Sequence, residues 1–254
     1  MEQLEWEIRP APSPGGAMVA TVRGDLDRPA RSDFVGRLAD VLVRYRHVVV
    51  DAAGLHPQHA EVVHAFTEAL SRAGGWPAAC FAIAGPDPTL RALLTSSGVA
   101  HRVPVFDDVA RALAHLGDRP TLLREWWRFS VDPHAPRRAR AHVRDVCARW
   151  GVGDEVREAA EIVVTELVTN SVEHASSASV VEVEGRGDTL RMTVRDYGVG
   201  HAIPEAATWV APPTSSPRGR GLAMVAAVSR EWGIRRHVDG TTIWSEMTPE
   251  SVAG

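Results

Sequence analysis

One helical segment, residues 154–175, constrains this sequence more than any other stretch. Apolar residues recur there at intervals of three and four, which predicts a helix with one apolar face. They are Val163, Val164, Leu167, Val168 and Val172. Glu166, Asn170 and His174 are spaced four apart, so they align on a second face. A carboxylate and a carboxamide one turn apart offer a proton acceptor and a neutral oxygen ligand for a hard cation such as magnesium.

That spacing alone also suits the solvated face of an ordinary helix, but three glycine-containing motifs follow it. They are Asp-Tyr-Gly-Val-Gly at 196–200, Gly-Arg-Gly-Leu at 219–222 and Gly-Thr-Thr at 240–242. Glycines permit positive φ and a close approach of the backbone to a ligand. The second motif opens a predicted helix, whose N–H groups and dipole can point at phosphate oxygens. No P-loop lysine motif occurs, so a phosphate site of the P-loop type is excluded.

In order and spacing, the helix and the three motifs resemble the N, G1, G2 and G3 boxes of one ATPase superfamily. Gyrase, the histidine kinases and the anti-sigma-factor serine kinases share it. The anti-sigma kinases are the most similar group, because their nucleotide-binding helix reads Glu-Leu-Val-Thr-Asn with His-Ala close behind, and their lid closes with Gly-Arg-Gly-Leu. The resemblance covers residues 119–254 and implies a two-layer α/β sandwich that holds ATP between its helices and its lid.

The resemblance implies roles for four residues. Asn170 would hold Mg²⁺ against the phosphates of ATP, and Glu166 would orient or deprotonate the attacking hydroxyl or water. Asp196 would accept a hydrogen bond from the adenine amino group, which selects adenine over guanine; the alternative is a turn-forming aspartate. His174 is expected to be structural rather than catalytic.

Further nucleotide-binding candidates belong to the glycine-containing motifs and their flanks. They are Gly198, Gly200, Arg218, Gly219, Arg220, Gly221, Leu222, Thr241 and Thr242. The arginines would add charge-assisted contacts to phosphate, unless they are solvated lid residues. The two threonines alternate across a predicted strand, so only one of them can face the adenine pocket.

The preceding part of the chain, residues 1–118, is predicted to form a separate α/β domain. Two strands come first, and strands at 48–51, 78–84 and 103–106 then alternate with helices. That order implies a mixed sheet with helices packed against it. In the second domain, strands are predicted at 126–131, 179–184, 189–195, 234–238 and 241–246.

The pattern of the first domain resembles the STAS domain of sulfate transporters and anti-sigma-factor antagonists. The likeness rests on Val-Val-Val-Asp-Ala-Ala-Gly-Leu at 48–55 and on the ending at residues 98–113. The antagonists carry a phosphate-accepting serine at the start of the next helix, whereas residues 55–62 contain no hydroxyl group here. The domain therefore cannot be a phosphoserine switch of the usual kind, and a regulatory or docking role is expected. Glu61 would place a constant negative charge near that helix start.

His56, His59 and His64 invite a metal interpretation. Neither a cysteine nor a well-spaced fourth ligand accompanies them, so solvated histidines are the preferred interpretation.

Composition excludes several classes of protein. A net charge of −4 gives no basic field for nucleic acid. No apolar run approaches membrane-spanning length, and the N-terminus lacks the features of a signal peptide. The two cysteines, Cys80 and Cys147, have no metal or redox spacing, so they are interpreted as buried thiols of a cytoplasmic protein.

The two resemblances together imply a serine kinase and anti-sigma-type regulator. It would phosphorylate an antagonist of the STAS class and bind a sigma factor or similar partner in its absence, and homodimers are usual in the resembled family. A second hypothesis is a switch that binds ATP without efficient turnover. A third is a histidine kinase, although the sequence lacks the two-helix hairpin that precedes the ATPase domain of those enzymes.

Overall fold

The computed structural model describes residues 4–12, 16–173, 176–198 and 220–252. The chain divides into two compact units, Met1–Leu123 and Arg124–Gly254. Within the described ranges, no helix is long and apolar enough to cross a membrane.

The first unit is built from five strands and five helices among its described residues. In chain order these are β1 (Glu5–Pro10), β2 (Met18–Leu26), α1 (Arg28–Tyr45), β3 (His47–Pro57), α2 (His64–Arg72), β4 (Cys80–Ala84), α3 (Pro88–Ser96), α4 (Val99–Arg102), β5 (Val105–Phe106) and α5 (Val109–Ala114). A 3-10 turn, Ala60–Val63, precedes α2. The sheet order is β1-β2-β3-β4-β5, with β1 antiparallel to β2 and the other neighbours parallel.

Aspartate caps begin three helices of this unit. Asp27, Asp87 and Asp108 each accept a hydrogen bond from the backbone N–H three residues on, at 2.7 to 2.8 Å. Such caps satisfy N–H groups that the first helical turn leaves without an intrahelical partner. The helices then bury apolar faces against the sheet, where Phe34 of α1 meets Phe66 of α2 edge to face.

The third strand is longer than the sequence predicts. A short strand was expected at 48–51, whereas β3 continues to Pro57 because it keeps pairing with β2 after a register shift between Thr21 and Arg23. Pairing with β2 stabilises residues 52–57 as a strand, and the β-propensity of these residues alone does not predict that pairing.

The second unit forms a two-layer sandwich. Its elements are β6 (Leu123–Phe129), α6 (Ala135–Trp150), α7 (Asp154–Glu173), β7 (Ser179–Arg186), β8 (Thr189–Asp196), α8 (Arg220–Val228), β9 (Glu231–His237), β10 (Gly240–Met247) and α9 (Pro249–Val252). The sheet order is β6-β7-β8-β10-β9, and β7, β8, β10 and β9 pair antiparallel.

Alternation along these strands separates the two faces of the sheet. Val181, Val194 and Ile243 lie side by side on neighbouring strands and are buried toward the helices. Helix α6 packs along α7, and Gly151 in the left-handed region closes α6 with a Schellman-type turn. The two α/β sheets with their packed helices confirm the predicted fold class.

Candidate functional site

Helix α7 carries the first two candidate residues on one side of its C-terminal half. Glu166 and Asn170 are half-buried, while Val163, Leu167 and Val168 of the same helix are fully buried in the core. The apolar face therefore anchors α7, and it presents the carboxylate and the carboxamide one turn apart on another face. His174 lies outside the described residues.

The carboxylate of Glu166 lies against the first turn of α8. A Cβ placed on Gly221 would overlap Glu166 Oε2 and lie 3.1 Å from Cδ of the same carboxylate. Glycine at 221 thus allows the backbone of α8 to approach an acidic side chain of α7. Negative charge near a helix N-terminus is electrostatically favourable.

Asp196 ends β8 with its carboxylate held by the backbone. Its Oδ1 accepts hydrogen bonds from the N–H groups of Gly198 at 3.1 Å and Thr241 at 3.2 Å. Thr241 and Ser179 are its neighbours across the sheet on β10 and β7, and both are buried. The carboxylate is therefore oriented by two strands and a turn rather than by its own loop alone.

The two threonines of β10 lie on opposite faces of the sheet. Thr241 shares the helix-facing side with Asp196. On the other face, the Thr242 hydroxyl is 3.0 Å from Nε2 of His237. Thr241 is therefore the threonine that the strand brings to the aspartate, and Thr242 is directed away from it.

Gly240 shapes the same site, although it is not among the predicted site residues. Its φ is +142°, and a Cβ there would overlap the carbonyl oxygen of Asp196 and lie 2.8 Å from Cα of Tyr197. A side chain at 240 would push the strand ends apart and move Thr241 away from Asp196. The detectable signal was a glycine directly before the predicted strand.

Two side chains outside the predicted set stabilise the turn after Asp196. Ser177 Oγ accepts a hydrogen bond from the Tyr197 N–H at 3.0 Å. The Arg195 guanidinium bonds both oxygens of Asp239, at 2.9 and 3.0 Å, and lies 5.1 Å from the centre of the Tyr197 ring. Neither residue belongs to a recognisable motif, so spacing gave no indication of them.

Sequence comparison assigns this unit to a family. Residues 129–247 match the model of a family described as the histidine kinase-like ATPase domain. The second unit is a histidine kinase-like ATPase domain. The match confirms the ATPase resemblance drawn from the four motifs, and ATP is the ligand that the family implies. Among curated proteins, no sequence matches this chain.

Comparison of structures finds several similar folds. A crystal structure of the RsbU and RsbW domains of a Mycobacterium tuberculosis protein is 24% identical, with a TM-score of 0.39, over 50% of this chain and 32% of that chain. An anti-sigma factor antagonist from Mycobacterium paratuberculosis is 14% identical, with a TM-score of 0.39, over 46% of this chain and 96% of that one. The histidine kinase domain of a blue-light activated kinase from Erythrobacter litoralis is 18% identical, with a TM-score of 0.31, over 89% of this chain and 98% of its own.

Several candidate residues of the ATPase domain lie outside the described residues, namely Gly200, Arg218 and Gly219. Arg220 is the first residue of α8, and Leu222 is buried within its first turn. The described candidates thus fall into two groups: Glu166, Asn170, Arg220, Gly221 and Leu222 on α7 and α8, and Asp196, Gly198, Thr241 and Thr242 at the ends of β8 and β10.

Beside the candidate residues of the ATPase domain, α6, α7 and the turn before α6 line an open cavity of about 640 Å³. Arg137, Arg140, Thr165 and Thr169 are among its lining residues. The Arg140 Nε–H donates to Thr165 Oγ1 at 3.0 Å. Glu166 and Asn170 do not line this cavity, so it is separate from the predicted nucleotide-binding face of α7.

Ion pairing and burial shift the pKa of ionisable groups on the same two helices. The hydrogen bond from Arg144 holds the pKa of Glu161 below its usual value. Burial raises the pKa of the Cys147 thiol to about 12, which keeps it protonated and unreactive.

The histidines of the first unit are not grouped as a metal site. His56 Nδ1 lies 3.5 Å from Asp87 Oδ2, and both side chains are partly exposed. Across the described ranges, no group of three or more His, Cys, Asp or Glu side chains is arranged to hold a metal ion.

Proposed function

We propose that the chain is an ATP-dependent protein serine kinase of the anti-sigma-factor type, which acts on a separate antagonist protein in a bacterial partner-switching pathway. The observation that carries this proposal is the contact of Glu166 with the first turn of α8, with Asn170 one turn further along α7. A carboxylate, a carboxamide and a helix N-terminus together suit phosphoryl transfer, which depends mainly on positioning and on neutralisation of charge.

The described residues fit a magnesium nucleotide. Gly221 and Gly240 lie where a side chain would collide with Glu166 and with the backbone of Asp196, so the backbone is close to both acidic residues. When bound, Mg²⁺–ATP would supply the phosphoryl group and neutralise its charge. Asn170 would offer its carboxamide oxygen to Mg²⁺.

Glu166 would act on the substrate rather than on the nucleotide. Its carboxylate would accept the proton of the attacking serine hydroxyl, or orient that hydroxyl toward the phosphorus. The positive end of α8 beside it would stabilise the negative charge that the carboxylate carries before the transfer.

Asp196 and Thr241 would recognise the base. The Thr241 and Gly198 N–H groups orient the aspartate. The carboxylate would then accept a hydrogen bond from the adenine amino group, whereas guanine presents an oxygen at that position. Gly200, Arg218, Gly219, Arg220 and Leu222 complete the proposed nucleotide-binding set. Gly221 is left out because it lies against Glu166, and Thr242 is left out because it lies on the other face of the sheet beside His237.

In this proposal, residues 1–118 are a regulatory or docking domain of the STAS type. Residues 55–62 contain no hydroxyl group. The acidic residue of that stretch, Glu61, is paired with Arg28, whose Nε lies 2.6 Å from Glu61 Oε1. The domain would therefore bind a partner without being switched by phosphorylation at this place. A sigma factor is the proposed partner when the antagonist is absent, and the proposed assembly is a homodimer.

A transfer assay tests the proposal. The full-length protein is incubated with Mg²⁺ and ATP labelled at the γ-phosphate, together with serine-containing antagonist proteins of the STAS class. Transfer is expected with the native chain and to fall at least about a hundredfold in Glu166→Ala. Glu158→Ala is the matched control, because Glu158 is an exposed carboxylate on the same helix.

Each other outcome has a distinct meaning. Phosphoserine survives acid, so an acid-labile label would contradict a serine kinase and indicate a phosphohistidine. Binding of ATP without transfer to any antagonist would contradict a kinase and indicate a protein that binds ATP and switches partners without turnover. Absence of ATP binding would overturn the proposal altogether.

A further inference from the structure

Gly221 and Glu166 meet at a point where two helices of the ATPase domain approach each other. Gly221 is the second residue of the nine-residue helix α8, and Glu166 lies in the C-terminal half of α7. A Cβ on Gly221 would overlap Glu166 Oε2, and it would lie 3.1 Å from Cδ and 3.5 Å from Cγ. The conflict involves the end of one side chain, and no other atom is among the three nearest neighbours of that Cβ.

A collision with backbone would leave no means of relief, but a carboxylate can rotate away. An added methyl group at 221 therefore has one predictable effect, which is to turn the Glu166 carboxylate out of its present position. Gly36, a helical glycine of the first unit, has no such constraint. Gly36 in α1 would gain a Cβ with nothing within 4 Å.

We propose that Gly221 is a positioning residue for Glu166: its lack of a side chain lets the carboxylate lie on the first turn of α8, and a substituent there displaces it. The role of the carboxylate in transfer rests on the proposed function. The steric relation between Gly221 and Glu166 does not rest on the proposed function. The steric relation and the catalytic role can therefore be tested separately.

A double-mutant cycle on thermal unfolding tests the steric relation. In the full chain, Gly221→Ala is expected to lower the unfolding midpoint by about 5 °C, because overpacking forces a side chain away from its preferred position. In a Glu166→Ala background the same change is expected to be neutral or stabilising, since alanine favours helices over glycine. Equal destabilisation in both backgrounds would overturn the proposal.

Gly36→Ala is the control for the general effect of replacing a helical glycine, and it is expected to be stabilising. If Gly221→Ala cannot be purified, the double variant decides. Recovery of folded Glu166→Ala/Gly221→Ala protein supports the proposal, and failure of the double variant while Glu166→Ala folds contradicts it.

A second readout concerns the nucleotide. Gly221→Ala is expected to reduce phosphoryl transfer about a hundredfold through misplacement of the carboxylate. ATP affinity in the Glu166→Ala background is expected to be unchanged by Gly221→Ala. A tenfold loss of affinity in that background would mean that Gly221 serves the phosphates and not Glu166. If native protein binds no ATP, the proposed function fails, and the unfolding cycle still decides the relation between the two residues.

Discussion

Two places in the molecule hold a glutamate near the start of a helix, and they do so in different ways. In the first unit, Glu61 is paired with Arg28 on the surface, where their side chains are 51% and 69% exposed. In the ATPase domain, Glu166 is half-buried and lies on a glycine of the facing helix. The first arrangement depends on charge in water, and the second depends on the absence of a side chain.

The difference indicates where substitutions are tolerated. Exposed ion pairs contribute little because solvent and salt screen them and because two long side chains must be ordered. A backbone contact through glycine has no such tolerance, since any other residue adds atoms where none fit. The Arg28–Glu61 pair can therefore be replaced at little cost, whereas a side chain at Gly221 or Gly240 of the ATPase domain would collide with Glu166 or with the backbone of Asp196.

The largest expected effect is that of Gly240→Ala. The added Cβ would overlap the Asp196 carbonyl oxygen, and a φ of +142° is unfavourable for any residue with a side chain. Backbone atoms cannot rotate away, so a loss of at least about 3 kcal/mol in unfolding free energy is expected. Denaturant unfolding of the full chain measures it.

Gly187→Ala is the matched control. Gly187 also has a positive φ, of +55°, but an added Cβ would have nothing within 4 Å. Only about 1 kcal/mol is expected there, from the left-handed backbone alone. Equal losses at 187 and 240 would mean that backbone strain, and not the contact with Asp196, governs Gly240.

Asp196→Asn has the next largest effect, and the effect concerns specificity. An amide oxygen can still accept hydrogen bonds from the Gly198 and Thr241 N–H groups, so the strand ends should stay together. The proposed preference for ATP over GTP is expected to fall at least about tenfold, because the amide donates where the carboxylate only accepts. Calorimetric titrations with each nucleotide measure it, and an unchanged ratio would remove Asp196 from base recognition.

Much of the ATPase domain could be predicted from sequence because its signals are local. The spacing of Glu166 and Asn170 on one helix, and the alternation of Thr241 and Thr242 on one strand, follow from helical and strand periods. The contact of Gly221 with Glu166 joins two separate helices, and the periodicity of a single helix or strand cannot predict such a contact. In the same way, β3 extends to Pro57 through pairing with β2, which a pattern within residues 47–57 does not reveal.

A smaller, pH-dependent effect is expected on α7. Hydrogen bonding to Arg144 lowers the pKa of Glu161 below 4.5, so the folded state favours the charged carboxylate. The stabilisation is present above the unfolded pKa and is lost as pH falls through the folded value. Glu161→Gln should therefore be less stable than native protein at neutral pH, and the two should converge as pH falls through the lowered folded-state pKa of Glu161. A difference that persists in acid would assign the effect to packing.

The smallest effect is expected for Arg28→Ala in the first unit. The change removes the partner of Glu61. A backbone hydrogen bond is the largest cause of the lowered pKa of Glu61, and the hydrogen bond from Arg28 is the second largest. Because the carboxylate is exposed and keeps its backbone partner, the denaturant midpoint should not change measurably. Asp27→Ala, one residue earlier, is the contrasting variant, since it removes the cap of α1 and should cost about 1 kcal/mol. A loss in Arg28→Ala as large as that in Asp27→Ala would mean that the ion pair stabilises the first unit, and the contrast with Glu166 would then no longer hold.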